Sequence, residues 1–162
     1  SKLEIVNYSH NMIREILSVS KNKYLKVLNL SNNNICKIEN LSENYFLEEL
    51  NLSFNQIEVI ENLENLNIQK LNLMANNIRL ITGLDNLKSL LELNLSKNYI
   101  TRLKGLQNLF NLRYLYLSSN NISRAKQIAY IVDIPLLTDL DLCHNSVQNR
   151  KFYRFYVSFN FR

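Results

Sequence analysis

The 162-residue chain holds two glycines, one proline, two cysteines, two histidines and no tryptophan. So little glycine and proline leaves no material for flexible linkers or for the many tight turns of a β-sandwich. It also removes the loops that cradle phosphate: no G-x-x-x-x-G-K and no G-x-G-x-x-G occurs, and neither C-x-x-C nor H-E-x-x-H is present. No apolar run approaches the roughly 18 residues of a membrane span, and no charged-then-apolar signal pattern opens the chain. An initiator methionine is lacking as well, so the segment is expected to come from a longer protein. Residues other than glycine must make its turns.

What is present describes one globular domain spanning 1–162, with 46% hydrophobic residues and a mean hydropathy of -0.18. The formal charge of +5 is unevenly placed. Between Lys37 and Lys70 lie seven acids (Glu39, Glu43, Glu48, Glu49, Glu58, Glu61 and Glu64) and no base, whereas Lys97, Arg102, Lys104, Arg113, Arg124 and Lys126 follow with no acid among them. Such a polarised molecule orients a partner.

Aligning the sequence with itself reveals the series L-x-x-L-x-L-x-x-N-x-I-x-x-I-x-x-L. Leu25, Leu28, Leu30, Asn33, Ile35, Ile38 and Leu41 form one copy, and Leu47, Leu50, Leu52, Asn55, Ile57, Ile60 and Leu63 the next. Framing asparagines fall at Asn11, Asn33, Asn55, Asn76, Asn98, Asn120 and Asn145, in steps of 22, 22, 21, 22, 22 and 25. A single copy cannot bury its apolar residues alone, so seven in phase require stacked coils with a continuous core. The x-L-x-L-x portion reads as a short parallel strand with leucines inward and the x positions outward. Each framing asparagine offers amide donors and acceptors to backbone groups of its own and the adjacent coil, which accounts for a turn without glycine.

These motifs resemble cytosolic leucine-rich repeats of the 22-residue, phosphatase-regulator-like class, over essentially the whole chain. The resemblance implies an α/β fold: a right-handed horseshoe with about seven short parallel strands on the concave face and short helical or 3-10 turns on the convex face. Asn145 to Val157, "NSVQNRKFYRFYV", is similar to the helical cap that closes many such arrays, with Tyr153, Arg154, Tyr156 and Val157 in the motif positions and Ser146 where the motif has proline. The cap is assigned to 146–162. It is needed because an open last coil exposes core and a strand edge.

Extracellular arrays of this kind protect their ends with disulfides, but Cys36 and Cys143 lie five strands apart, roughly 24 Å at about 4.8 Å per strand. A disulfide needs about 4.4–6.8 Å between α-carbons. The sequons at Asn7, Asn29, Asn51 and Asn94 all fall on the strands, where glycans would coat the sheet. The expected compartment is reducing and intracellular, cytoplasmic with nuclear or ciliary location compatible.

No catalytic or metal constellation emerges, and no cofactor is expected. Asp139, Asp141, Cys143 and His144 cluster in the last copy, but zinc wants three or four converging ligands and a thiol nucleophile wants a base beside it. An acidic patch on a binding face is the better description. The basic residues Arg79, Arg102, Lys104, Arg124 and Lys126 fall on the convex side, where a stripe could touch phosphate. No aromatic residues interleave with them to stack bases, so nucleic acid is disfavoured as a partner.

On the outward face the default is Asn between the strand leucines and Ser after them, and the departures carry the information. Phe54, Met74, Tyr114 and Tyr116 are apolar or aromatic where the fold permits polar residues, ringed by Glu49, Lys70, Glu92, Lys97, Asp139, Asp141 and His144. Isolated apolar surface residues are ordinary, and Tyr116 bonding Asp141 across neighbouring strands is the competing expectation. The sequence therefore describes a non-enzymatic, monomeric scaffold that binds a globular protein on its concave face and does not engage membrane. A phosphatase-regulatory or cytoskeletal or axonemal adaptor fits the resemblance. The alternatives are the recognition domain of a larger multidomain enzyme and a ribonucleoprotein component.

Overall fold

The computed structural model describes residues 2–17, 19–149 and 153. Seven three-residue strands appear in it: β1 (Ile5–Asn7), β2 (Val27–Asn29), β3 (Glu49–Asn51), β4 (Lys70–Asn72), β5 (Glu92–Asn94), β6 (Tyr114–Tyr116) and β7 (Asp139–Asp141). They form one sheet in chain order, every pair parallel. The register runs Ile5, Val27, Glu49, Lys70, Glu92, Tyr114, Asp139, so equivalent repeat positions stand side by side. The expected solenoid is therefore what the chain forms.

The central residue of each strand points inward, as period two demands. Leu28, Leu50, Leu71, Leu93 and Leu115 are all buried there. Behind them Ile35, Ile57, Ile78, Ile100 and Ile122 are completely covered, and a single apolar core runs from Val6 to Val147. Each such side chain contributes about 1.5–3 kcal/mol relative to exposure, and it does so only because the neighbouring coil covers it.

The framing asparagines do what the repeat requires. The Oδ1 of Asn55 accepts from the Ile35 N–H at 2.9 Å, while its Nδ2 donates to the Leu30 carbonyl one coil back at 3.0 Å and to Leu52 in its own coil at 3.1 Å. Asn33, Asn76, Asn98, Asn120 and Asn145 repeat the pattern from buried positions. Asn11 is exposed and donates only to Tyr8 and Ser9 of its own coil.

The turn has a second component that the sequence reading missed. The residue before every framing asparagine is left-handed: His10, Asn32, Phe54, Ala75, Lys97, Ser119 and His144 all have φ between 55° and 58°. Six of these seven donate their N–H to the carbonyl of the next coil, as Phe54 does to Met74 at 2.8 Å. A second left-handed series follows at Asn40, Asn62, Gly83 and Gly105. The two glycines thus stand in frame with asparagines whose Nδ2 groups donate to Ile16 and Ile38 carbonyls at 2.7 Å.

Helical turns are fewer than expected on the connecting side. Among the described residues they are the 3-10 helices Ala125–Tyr130 and Ser146–Asn149. Coils of 21 or 22 residues close with turns alone, whereas the 25-residue step, three residues longer, accommodates the six-residue 3-10 helix Ala125–Tyr130. Val147 is fully buried and Tyr153 packs on the core. Arg154, Tyr156 and Val157 of the expected cap lie outside the described residues.

The outer face of the sheet as a candidate functional site

Residues flanking the inward leucines form two outward rows. The row between the leucines begins as Asn7, Asn29, Asn51, Asn72 and Asn94 and then changes to Tyr116 and Asp141. These asparagines are not idle: the Oδ1 of Asn29, Asn51, Asn72 and Asn94 accepts the N–H two residues on at 3.0 Å in each case, closing a small turn at the strand end. Asn29, an outward-facing default residue, is thus half committed to the fold. Asp141 keeps the same bond, to Cys143 at 2.9 Å, and Tyr116 abandons it.

The structure divides the expected binding patch into three parts. Glu49 on β3 pairs with Lys70 on β4 at 2.7 Å, and that hydrogen bond, then the carboxylate's charge, raises the Lys70 pKa. These two residues and Glu92 border a shallow depression of about 280 Å³ over β2–β5. Phe54 and Met74 sit on the rim after β3 and β4, Phe54 being 45% exposed. Lys97 occupies the equivalent exposed rim position after β5. Tyr114, Tyr116, Asp139 and Asp141 come together on β6 and β7, where Tyr114 faces Asp139 and Tyr116 faces Asp141 across the register.

In that third part the chemistry differs from expectation in one respect. The carboxylates acting on the Tyr116 hydroxyl are Asp139 and then Glu92, not Asp141. Burial first, then Asp139 and Glu92, push the Tyr116 pKa above that of an ordinary tyrosine. For Asp141 burial alone would raise the pKa. The Cys143 N–H, the Ser118 hydroxyl, the Cys143 thiol and His144 outweigh it and hold the carboxyl below its usual range. The reverse acts on Cys143, whose thiol is held protonated by its hydrogen bond to Asp141. A nucleophilic cysteine needs the opposite shift, so this cluster presents a carboxylate surface and a quiet thiol. His144, exposed and left-handed, closes its edge.

No group of three or more His, Cys, Asp or Glu among the described residues is placed to hold a metal ion. Cys36 and Cys143 are both free and exposed. No helix of the described residues is long and apolar enough to cross a membrane.

Away from the sheet, two aromatic features escaped the sequence reading. Tyr24 and Phe46, equivalent residues of successive copies and both more than half exposed, stack at 6.1 Å. The signal was their 22-residue separation, each just ahead of a core leucine. Tyr99 lies under the Arg79 guanidinium at 5.4 Å, and Tyr130 borders the basic residues Arg102 and Arg124. Contrary to expectation, aromatic residues therefore do interleave with that basic stretch, Tyr99 between Arg79 and Arg102 in the sequence as well as in space.

Parallel three-residue strands, a buried asparagine ladder and an outward face free to vary define a solenoid of the leucine-rich repeat type. The profile of the leucine-rich repeat family matches residues 46–162, a second leucine-rich repeat profile matches residues 21–35, and the chain belongs to this family. Comparison with curated proteins found no match. Among solved structures, a leucine-rich repeat protein of Leptospira interrogans is 29% identical with a TM-score of 0.74, over 88% of this chain and 38% of that one. An internalin of Listeria monocytogenes is 23% identical at a TM-score of 0.65, over 89% of this chain and 48% of its own. A plant peptide hormone receptor, solved in complex with RGF2, is 23% identical at a TM-score of 0.68, over 89% of this chain and 25% of the receptor. The chain thus spans less than half the length of each of these proteins.

Proposed function

We propose that the chain is a non-enzymatic, monomeric protein-binding module that engages a globular partner through the concave outer face of its sheet. The observation carrying this is the replacement of the Asn default by Tyr116 and Asp141, beside Tyr114 and Asp139, on adjacent strands β6 and β7. Tyrosine supplies large contact area at low entropy cost and aspartate supplies directional acceptors, the composition of an interface centre. The plant receptor's complex is consistent with partner binding by this fold. The free, exposed cysteines, the strand asparagines already bonded to backbone and the cap-like 146–162 segment support an intracellular setting and an adaptor role of the phosphatase-regulatory or cytoskeletal kind.

The test is affinity capture from lysate by the wild-type domain and by a Tyr114→Ala, Tyr116→Ala variant, with thermal unfolding to confirm an intact fold. Partners lost from the variant are expected. Retention of the same partners at the same level would overturn the assignment to β6 and β7.

A further inference from the structure

The connecting segments after β5 and β6 form a groove of about 630 Å³ lined by Arg102, Lys104, Arg124, Lys126 and Tyr130. All five are exposed, and no acid lines the groove. Among the described residues none of the four cations has a carboxylate within 4 Å; the ion pairs there are Lys26 with Glu4, Lys37 with Glu39, and Lys70 with Glu49. Its wall is built: the 3-10 helix Ala125–Tyr130 is fixed to the preceding coil by Gln127, which is buried and accepts the Leu103 N–H at 2.9 Å.

The repeat gives this groove a sharp boundary. Lys104 and Lys126 stand in frame with Glu39, Glu61 and Thr82, so one row of equivalent positions reads acid, acid, neutral, base, base along the solenoid. The row holding Arg102 and Arg124 reads Lys37, Val59 and Leu80 before them. The cationic surface is therefore two coils wide, roughly 10 Å at about 4.8 Å per coil. Glu61 and Glu58 repel any anion extended toward the earlier coils.

We infer that this groove binds a short acidic segment of a protein, with carboxylates on alternate residues of an extended strand. Two arginines match carboxylates bidentately, and two lysines add charge without geometric demand. Alternate residues of an extended chain project to one side about 6.6 Å apart, so two or three carboxylates fill the width. Single-stranded RNA fits less well. It requires a longer basic track and several stacking platforms, whereas Tyr99 is already engaged by Arg79 and Tyr130 alone remains in the groove. The site is separate from the sheet face and stands whether or not that face binds a partner.

The experiment is fluorescence anisotropy with a labelled peptide carrying four glutamates on alternate positions, its glutamine counterpart, and a short single-stranded RNA. Saturable binding of the glutamate peptide is expected, weakening with added salt and absent for the glutamine peptide. Arg102→Gln with Arg124→Gln should weaken it about tenfold or more. Arg14→Gln with Arg113→Gln, which removes the same net charge outside the groove, should change it less than threefold. Thermal unfolding of both variants checks the fold. No saturable binding, equal losses in the two variants, or tighter binding of RNA than of peptide would overturn the inference.

Discussion

The side-chain oxygen of Asn98 accepts the backbone N–H of Ile78 at 3.0 Å, joining two coils at a point no water reaches. The Nδ2 of Asn98 simultaneously donates to Leu73 and Leu95 at 2.9 and 3.1 Å. Truncation leaves buried backbone groups on two coils without partners, so Asn98→Ala should destabilise the fold by about 1–3 kcal/mol. Asn11→Ala, at an exposed position with bonds only inside its own coil, should cost less than about 0.5 kcal/mol. Urea unfolding monitored by circular dichroism compares them directly, and equal losses would refute the inter-coil role.

Gly83 sits at φ +68°, and a Cβ there would meet the Ile60 carbonyl oxygen at 2.3 Å. Both the backbone conformation and the space exclude a side chain without movement of the preceding coil. Gly83→Ala is expected to destabilise by more than about 1 kcal/mol. Asn62→Gly, at the equivalent position one coil earlier, loses only the 2.7 Å bond to Ile38 and should be milder. Thermal unfolding of the two variants ranks them.

The architecture was legible because the repeat records each coil's burial in its own letters. Leu28, Leu50 and Leu71 are inward for the same reason at the same offset, and the framing asparagines bond as their chemistry requires. Left-handed Phe54, Ala75 and Lys97 were not legible, because the conformation belongs to one repeat position whatever residue stands there, and nothing in those side chains announces it. The outward rows could be written out from sequence, yet which members touch is a property of side-chain reach. Asp139 rather than the register partner Asp141 acts on the Tyr116 hydroxyl, and period two alone does not choose between them.

Asp141 ties a pH dependence to the end of the sheet. Its pKa is lowered in the folded state, so the stability it contributes is present above the ordinary aspartate value and is lost as pH falls through the folded value. Acid unfolding of Asp141→Asn should therefore be less steep than that of wild type over that interval. Because the Asp141 bond raises the Cys143 pKa, the same substitution should speed alkylation of Cys143 at neutral pH. Unchanged alkylation would remove the Asp141 bond as the cause.

Tyr116 works in the alkaline direction. Its pKa is raised by burial and by Asp139, so its contribution is complete below the ordinary tyrosine value and is lost as pH rises through the folded value. Spectroscopic titration of phenolate should show two late tyrosines, Tyr116 and the part-buried Tyr153, of which one disappears in Tyr116→Phe. Asp139→Asn should bring that titration part of the way back, since burial is the larger cause and remains. A full return would make Asp139 the sole source.

Phe54 separates stability from binding. Its backbone is left-handed at φ 55°, where a bulky residue costs about 1–2 kcal/mol and asparagine costs little. Asn32 holds the equivalent position in the preceding copy, so the fold accepts asparagine there. Phe54→Asn relieves that backbone cost but gives up the burial of just over half of the side chain, a loss of similar size, so urea unfolding should shift by less than about 1 kcal/mol. A position that holds phenylalanine against its own backbone preference is accounted for if the ring contacts a partner on the rim beside Met74. The same variant should then capture less of that partner in the lysate experiment. Undiminished capture by an intact variant would leave Phe54 outside the interface and confine binding to β6 and β7.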